Sequence, residues 1–225
     1  IYVGQRLRIP VAGPTPTPPA GAQRIRFAAG ATSAKVTGHL ALQEIDSYVV
    51  GASAGQAIMV YLSSPNNNAW LSISGLSDGQ PLVRSHLGQT FWVGKLPATQ
   101  DYLIQAVNET GPATDYTLQV IIPAVIRFQP GAISAVVAGR ADTGVPTSYT
   151  LRASAGQRMH VWIDSPRDDV LVAVWGLQDG QPLVRNVAGV SEWIGTLPAT
   201  QDYVIEAWEY GAPTTYTLNV AVEWQ

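Results

Sequence analysis

The sequence contains no cysteine, which excludes disulfide bonds, thiol catalysis and zinc sites built on thiolates. Charged residues make up 13% of the chain, against about 25% in an ordinary soluble domain, and only Lys35 and Lys95 are lysines. No apolar run approaches the roughly 20 residues that a membrane-spanning helix needs. The net charge of −3 favours neither nucleic acid nor an anionic membrane as a partner. A surface with so little charge is expected to lie partly against another molecule.

What the sequence does contain is an internal duplication. Three segments recur with identical residues 101 positions further along: Ala-Gly-Gln at 54–56 and 155–157, Asp-Gly-Gln-Pro-Leu-Val-Arg at 78–84 and 179–185, and Leu-Pro-Ala-Thr-Gln-Asp-Tyr at 96–102 and 197–203. A single repetition at this spacing indicates one domain copied, not a solenoid.

The duplication divides the chain into a leader and two copies. Residues 1–10 alternate like a strand, residues 11–22 form a Pro/Thr-rich linker, and the repeats span 23–123 and 124–225. Within each repeat, short apolar segments of period two are separated by turn residues. The pattern predicts an all-β chain of two tandem antiparallel β-sandwich (jelly-roll-like) domains with an extended N-terminal leader. The junction between the copies is only Ile122-Pro123-Ala124. A junction this short should hold the two copies in a fixed relative orientation.

Two family resemblances follow from these segments. Residues 1–10, Ile-Tyr-Val-Gly-Gln-Arg-Leu-Arg-Ile-Pro, resemble the closing strand of a LysM repeat, a module that binds N-acetylglucosamine polymers. This resemblance implies a longer precursor with a LysM module upstream, and the sugar-binding part is missing here. Each repeat resembles the bacterial pre-peptidase C-terminal (PPC) domain through 92–97, 101–104 and 116–118 and their copies. It implies a non-catalytic β-sandwich of secreted proteins that sometimes binds polymers.

No catalytic site is expected. The three histidines do not recur between the copies, and the chain has no nucleophile elbow, phosphate loop or metalloprotease motif. The repeated Asp-Gly pairs are typical of primed hairpin turns, and Asp101 and Asp202 of turn caps. No cofactor is expected beyond a weak calcium candidate in the acidic loop after 163, formed by Asp164, Asp168 and Asp169.

Strand alternation also predicts which aromatic side chains point outward. The outward set is Tyr61, Trp70, Trp162, Trp175 and Trp208, whereas Trp92 and Trp193 belong to the cores. Outward aromatics could stack on sugar rings, could bury against another subunit, or could be partly covered by nearby loops. These alternatives stay open at the level of sequence.

Two functions remain. The first is an extracellular or cell-surface structural module that associates with itself, for example in a filament or sheet. Its assembly strand is carried by Ile1, Val3, Leu7 and Ile9, which would pair onto a sheet edge of a neighbour. The alternative is an accessory module of a larger secreted LysM-containing protein that binds a cell-wall polysaccharide or other glycan. The first predicts that removal of residues 1–22 abolishes assembly.

Overall fold

The computed structural model describes residues 17–224. The predicted assembly strand with Ile1, Val3, Leu7 and Ile9 lies outside the described residues. In the described part, the strands of the first repeat are β1 (Gln23–Arg24), β2 (Ser33–Leu40), β3 (Ile45–Ala52), β4 (Ala57–Ser63), β5 (Trp70–Gly75), β6 (Pro81–Val83), β7 (Phe91–Lys95), β8 (Gln100–Val107) and β9 (Thr114–Ile121). Those of the second repeat are β10 (Ala124–Val125), β11 (Ser134–Ala141), β12 (Thr147–Ala153), β13 (Gln157–Asp164), β14 (Leu171–Gly176), β15 (Pro182–Val184), β16 (Glu192–Thr196), β17 (Gln201–Trp208) and β18 (Thr214–Trp224).

Helix is confined to two short 3-10 turns within residues 17–224, Ser85–Leu87 and Asn186–Ala188. Each turn ends at a glycine in the left-handed region, Gly88 at φ 65° and Gly189 at φ 68°. Over the same stretch of chain, no helix is long and apolar enough to span a membrane.

Each repeat folds as two sheets packed face to face. The first repeat has sheets of order β1-β3-β8-β5-β6 and β2-β9-β4-β7, and the second has β10-β12-β17-β14-β15 and β11-β18-β13-β16. Neighbouring strands are antiparallel, apart from the short parallel pairings of β1 with β3 and of β10 with β12. Apart from the hairpins β5–β6 and β14–β15, successive strands pass from one sheet to the other, as in a double-sheet jelly roll. The chain is therefore all-β, with two tandem sandwiches of the same topology.

The sandwich interiors follow from alternation along the strands. In β5, Leu71 and Ile73 are 0% and 1% exposed, whereas Trp70 between the turn and Leu71 points away from the interior. The inward-facing side chains of the opposing sheet complete an apolar core in each repeat. Trp92 and Trp193 pack against these two cores, as the sequence predicted.

The duplicated motifs hold turns together. The hydrogen bonds that they make are Tyr102 Oη to Ala98 O (2.7 Å), Tyr203 Oη to Ala199 O (2.7 Å), the Ser53 amide to Gln56 Oε1 (3.0 Å) and the Ser154 amide to Gln157 Oε1 (2.7 Å). Each bond satisfies a backbone group where the chain leaves a strand. The repeated residues therefore serve the scaffold.

Two expectations about aspartates need correction. Asp78 does accept the Gln80 amide at 2.9 Å, so the segment is a turn, but only Gly79 has a positive φ, 63°. A primed type I turn would need a positive φ at both central residues, so this turn is of another type. Asp101 lies inside β8 and binds Arg24, with Nη1 donating at 3.0 Å, instead of capping a turn.

Candidate functional site

The two repeats are joined by an apolar cluster on their outer sheet faces, named here the inter-repeat cluster. It consists of Ala57, Met59 and Ile121 from the first repeat and Leu177 and Val204 from the second, with Val93 and Trp175 packed against it. The side chains of the first repeat project from β4, β7 and β9, and Val204 projects from β17. Sheet β2-β9-β4-β7 thus faces sheet β10-β12-β17-β14-β15.

Two polar contacts flank the inter-repeat cluster. Lys95 Nζ lies 2.6 Å from Asp202 Oδ2. The Ser148 amide donates to Thr32 Oγ1 at 2.9 Å. Burial would raise the pKa of Asp202, but hydrogen bonds from Lys95 and Gln178 outweigh it and hold that pKa below its ordinary value. The carboxylate is therefore charged at neutral pH and pairs the two repeats.

Beside this contact the second repeat has an open pocket of about 260 Å³, named here the aromatic pocket. Its lining includes Ala173, Trp175, Pro182, Arg185, Asn186 and Glu206. Three separate segments supply these residues: β14, β17 and the stretch from β15 into the 3-10 turn that follows it. The pocket therefore exists only in the folded sandwich.

Glu206 is the buried polar group of this pocket. It is 7% exposed, and Trp208 Nε1 donates to its Oε2 at 2.9 Å. Burial raises the pKa of Glu206, while hydrogen bonds from the indoles of Trp208 and Trp175 oppose the rise. The indole N–H of Trp208 thus holds this carboxyl group against the outer face of the sheet.

An aromatic pair continues the surface past Glu206. Trp208 and Tyr210 stack with ring centroids 5.8 Å apart and planes 10° from parallel. Asn186 donates from Nδ2 to the Tyr210 hydroxyl, which fixes the outer ring. Tyr210 is 55% exposed, so part of its ring stays open to solvent. The arrangement combines flat apolar surface with amide, carboxyl and guanidinium groups.

The first repeat contributes an aromatic pair on its side of the same contact. Tyr61 and Phe91 lie with ring centroids 4.6 Å apart. Burial raises the pKa of Tyr61 to about 12, and the charge of Glu206 adds to the rise. Tyr61 is therefore close enough to the pocket to respond electrostatically to its carboxylate.

The first repeat has a pocket at the corresponding place, of about 310 Å³, with different chemistry. Ser74, Gln105, Val107 and Ser85 occupy the positions that Trp175, Glu206, Trp208 and Asn186 occupy in the second repeat. Its carboxylate, Glu109, is the counterpart of Tyr210, so the two pockets do not place an acidic group at the same position. The aromatic character belongs to the second repeat.

The remaining outward aromatics lie elsewhere. Trp70 is half-buried in the first repeat and donates from Nε1 to Asn67 O at 3.2 Å. Trp162 lies on the outer face of β13, where its ring is 4.4 Å from that of His160. His160 Nε2 is 2.6 Å from Glu192 Oε1 on β16. The structure therefore brings together Trp175 and Trp208, places Tyr61 across from them, and separates Trp70 and Trp162.

Two of the three calcium candidates, Asp164 and Asp169, are held by neighbouring side chains. Asp164 Oδ2 accepts Asn219 Nδ2 at 2.8 Å, and Asp169 is paired with Arg167. Asp168 occupies the left-handed region at φ 53°. Within residues 17–224, no group of three His, Cys, Asp or Glu side chains has a metal-binding arrangement.

Sequence reasoning missed Asn186, Arg185 and Tyr210 as parts of a site, and it gave Glu206 no role beyond marking the face of Trp208. One signal was present. A glutamate interrupts the otherwise apolar end of β17, Tyr203–Val204–Ile205–Glu206–Ala207–Trp208, where the first repeat has Gln105. A carboxylate flanked by aromatics at that point indicates a specific contact.

Neither a protein-family model nor a curated protein sequence matches the chain. Solved structures with similar folds include the periplasmic inhibitor of g-type lysozyme, PliG, from Aeromonas hydrophila. That protein is 27% identical over 45% of this chain and 95% of its own, with a TM-score of 0.40.

Two tandem proteins are similar over more of the chain. The CUB1-EGF-CUB2 domains of rat MASP-1 are 7% identical over 89% of this chain and 99% of their own (TM-score 0.30). The tandem CBM51 modules of a family 98 glycoside hydrolase from Streptococcus pneumoniae are 10% identical over 81% and 83% (TM-score 0.27). At these scores the likenesses assign no function to this chain.

Proposed function

We propose that this chain is a non-catalytic extracellular or periplasmic binding module whose second repeat takes a carbohydrate in the aromatic pocket. The observation that carries the proposal is the grouping of Trp175, Trp208 and Tyr210 around the buried carboxyl group of Glu206, at a place where the first repeat has no aromatic side chain at the three corresponding positions.

A sugar ring matches this surface chemically. Its C–H faces are apolar and flat, so they stack on an aromatic ring, whereas its rim carries hydroxyls that need hydrogen-bond partners. Tyr210 offers a partly open ring, and Arg185, Asn186 and Glu206 offer donors and acceptors. Binding would therefore take both the face and the edge of one sugar unit.

The pocket is not equipped for glycoside hydrolysis. That reaction ordinarily uses a pair of carboxyl groups about 5 to 10 Å apart, one as acid and one as nucleophile or base. Among the described residues that line the aromatic pocket, Glu206 is the single carboxyl group. The Trp208 indole donates a hydrogen bond to this carboxyl group. That arrangement suits recognition better than proton transfer to a substrate.

The proposed location and family rest on the sequence. The PPC-like repeats and the LysM-like leader imply a secreted precursor. The carbohydrate proposed as its ligand is therefore a polysaccharide of the cell wall. Self-association through Ile1, Val3, Leu7 and Ile9 is a second proposal, supported by the low charge of 13% and the strand-like pattern of the leader.

The test is a binding titration of the full chain with a panel of N-acetylglucosamine oligomers, peptidoglycan fragments and glucans, followed by tryptophan fluorescence and calorimetry. Tyr210→Ala is expected to weaken binding at least about tenfold, since stacking residues in a site cost more than about 1.4 kcal/mol when truncated. Tyr210 is exposed, so this change leaves the hydrogen bond from Trp208 to Glu206 in place.

Trp70→Ala is the matched control, because it removes an outward aromatic of the first repeat, away from the pocket. Saturable binding that Tyr210→Ala weakens and Trp70→Ala does not supports the proposal. Equal losses in both variants, or no saturable binding to any member of the panel, contradict it.

A further inference from the structure

The contact between the repeats uses two different sheet faces, one from each repeat. Because the repeats share one topology, each repeat contains a copy of both faces. The docking face is the outer side of β2-β9-β4-β7 in the first repeat, with β11-β18-β13-β16 as its counterpart in the second. The receiving face is the outer side of β10-β12-β17-β14-β15 in the second repeat, with β1-β3-β8-β5-β6 as its counterpart in the first. Within residues 17–224, one pair of these faces meets, and the docking face of the second repeat and the receiving face of the first repeat stay uncovered.

The free docking face presents exposed apolar side chains. Val136 is 69% exposed and Ile194 is 46% exposed, and Trp162 lies half-buried on the same face. Val136 occupies the position that Lys35 occupies in the first repeat. Because β11 is an edge strand, the exchange of lysine for valine removes a charge that would discourage association.

Its other residues parallel those that make the contact within the chain. Ile194 is the counterpart of Val93, which packs against the inter-repeat cluster. His160 and Ala221 occupy the positions of Met59 and Ile121. The centre of the docking face is therefore more polar in the second repeat than in the first. The interaction between chains should therefore be weaker than the one within the chain.

The free receiving face retains the matching groups. Leu103 and Leu76 occupy the positions of Val204 and Leu177, the two residues that the second repeat contributes to the inter-repeat cluster. Both leucines are half-exposed.

The charged pair of the contact is only partly retained. Asp101 is the counterpart of Asp202, the partner of Lys95, but Asp101 is already paired with Arg24 of its own repeat. In the docking face of the second repeat, Thr196 replaces Lys95, and Arg158 lies directly across from it in the β13–β16 pairing. The contact between chains therefore rests on the apolar side chains.

We propose that a second copy of this chain docks its second repeat onto the first repeat of its neighbour and repeats the contact already made inside each chain. The interface is heterologous, so both ends of every complex keep one free face and the assembly extends head to tail. This proposal is independent of carbohydrate binding, because the aromatic pocket lies on the receiving sheet of the second repeat, which the contact between chains does not use.

The test is sedimentation velocity of the full chain from low micromolar concentration to about 1 mM. The upper limit is chosen because two domains joined by a short linker meet at an effective concentration of about 1 mM. The unmodified chain is expected to sediment faster as its concentration rises. Ile194→Asp, at an exposed position, and Leu103→Glu, at a half-exposed one, are each expected to weaken association at least about tenfold. Leu76→Ser is a milder second change of the receiving face if Leu103→Glu does not fold, as judged by circular dichroism.

A mixture of the two variants separates this arrangement from any other. Ile194→Asp still has its receiving face and Leu103→Glu still has its docking face, so the mixture should form a complex of one chain of each that grows no further. Leu87→Asp, a change at a 59% exposed site in the 3-10 turn, is the control and should associate like the unmodified chain. A monomer at every concentration, or variants whose mixture stays monomeric, would overturn the proposal.

Discussion

Met59→Ala removes three heavy side-chain atoms from the contact between the two repeats. Met59 is 0% exposed and lies in the inter-repeat cluster, outside the cores of both sandwiches. We expect the substitution to lower the free energy of unfolding by about 2 to 5 kcal/mol, the usual cost of truncating a buried methionine to alanine. The lost stability should come from the coupling of the repeats, because neither sandwich loses a core residue.

The polar contacts at the same interface are too weak to compensate. Lys95 has 42% of its side chain exposed, so its ion pair with Asp202 contributes at most about 1 kcal/mol. The hydrogen bond from the Ser148 amide to Thr32 adds about 0.5 to 1.5 kcal/mol. The apolar cluster therefore dominates, and its largest fully buried side chain is the effective place to perturb it.

Calorimetry measures the coupling directly. The unmodified chain should unfold in one transition whose van't Hoff and calorimetric enthalpies agree. In Met59→Ala the van't Hoff enthalpy should fall toward that of a single repeat, about half the total, since each repeat then unfolds by itself.

Met159→Ala is the matched control for this experiment. It removes the same atoms from a residue that is also 0% exposed but lies in the core of the second repeat. It should lower stability by a similar amount through that core. The reasoning is refuted if Met59→Ala keeps equal enthalpies, or if its loss of stability is below about 1 kcal/mol.

Two further predictions concern a buried carboxyl group and the leader. Glu206→Gln should stabilise the chain at neutral pH: burial raises the folded-state pKa of Glu206, so ionisation is unfavourable in the folded state once the pH exceeds the ordinary pKa of about 4.3. The advantage should be absent below about pH 4.3, grow as the pH rises toward the folded-state pKa, and be complete above that pKa. Thermal unfolding of both proteins from pH 4 to pH 8 measures it, and parallel curves would refute this account of the burial cost. Removal of residues 1–22 should leave the head-to-tail association intact, since the strands of the docking and receiving faces all begin at or after Gln23. Sedimentation velocity measures this, and loss of association would instead favour the leader as the assembly strand.

Much of the scaffold could be predicted from local patterns. Period-two segments predicted strands, and the duplicated motifs predicted two copies of one domain, because both signals reside in short stretches of chain. Alternation also assigned Trp175 to an outer face correctly, since successive side chains of a strand point to opposite sides. Trp92 was assigned to a core because a large aromatic recurs at the equivalent position, Trp193, and it does pack against that core. The expected turn role of Asp101 was wrong because Arg24, far away in sequence, is its partner.

The candidate site depended on long-range contacts. Trp175, Asn186 and Glu206 come from separate segments, and only the sheet pairing of β14 with β17 brings the first and last of them together. Sequence alone also could not tell Met59 from its counterpart His160. Both point outward from equivalent strands, yet Met59 is covered by the second repeat and His160 is partly exposed.

The order of residues along the chain thus determined the strands, their inward and outward sides and the copying of one sandwich, since each of these depends on neighbours a few positions apart. Only the tertiary structure decided which outward faces meet, which aromatic side chains gather around Glu206 and which apolar residues stay uncovered. Those outcomes depend on the packing of whole sheets, where residues far apart in the sequence come into contact and compete for the same surface.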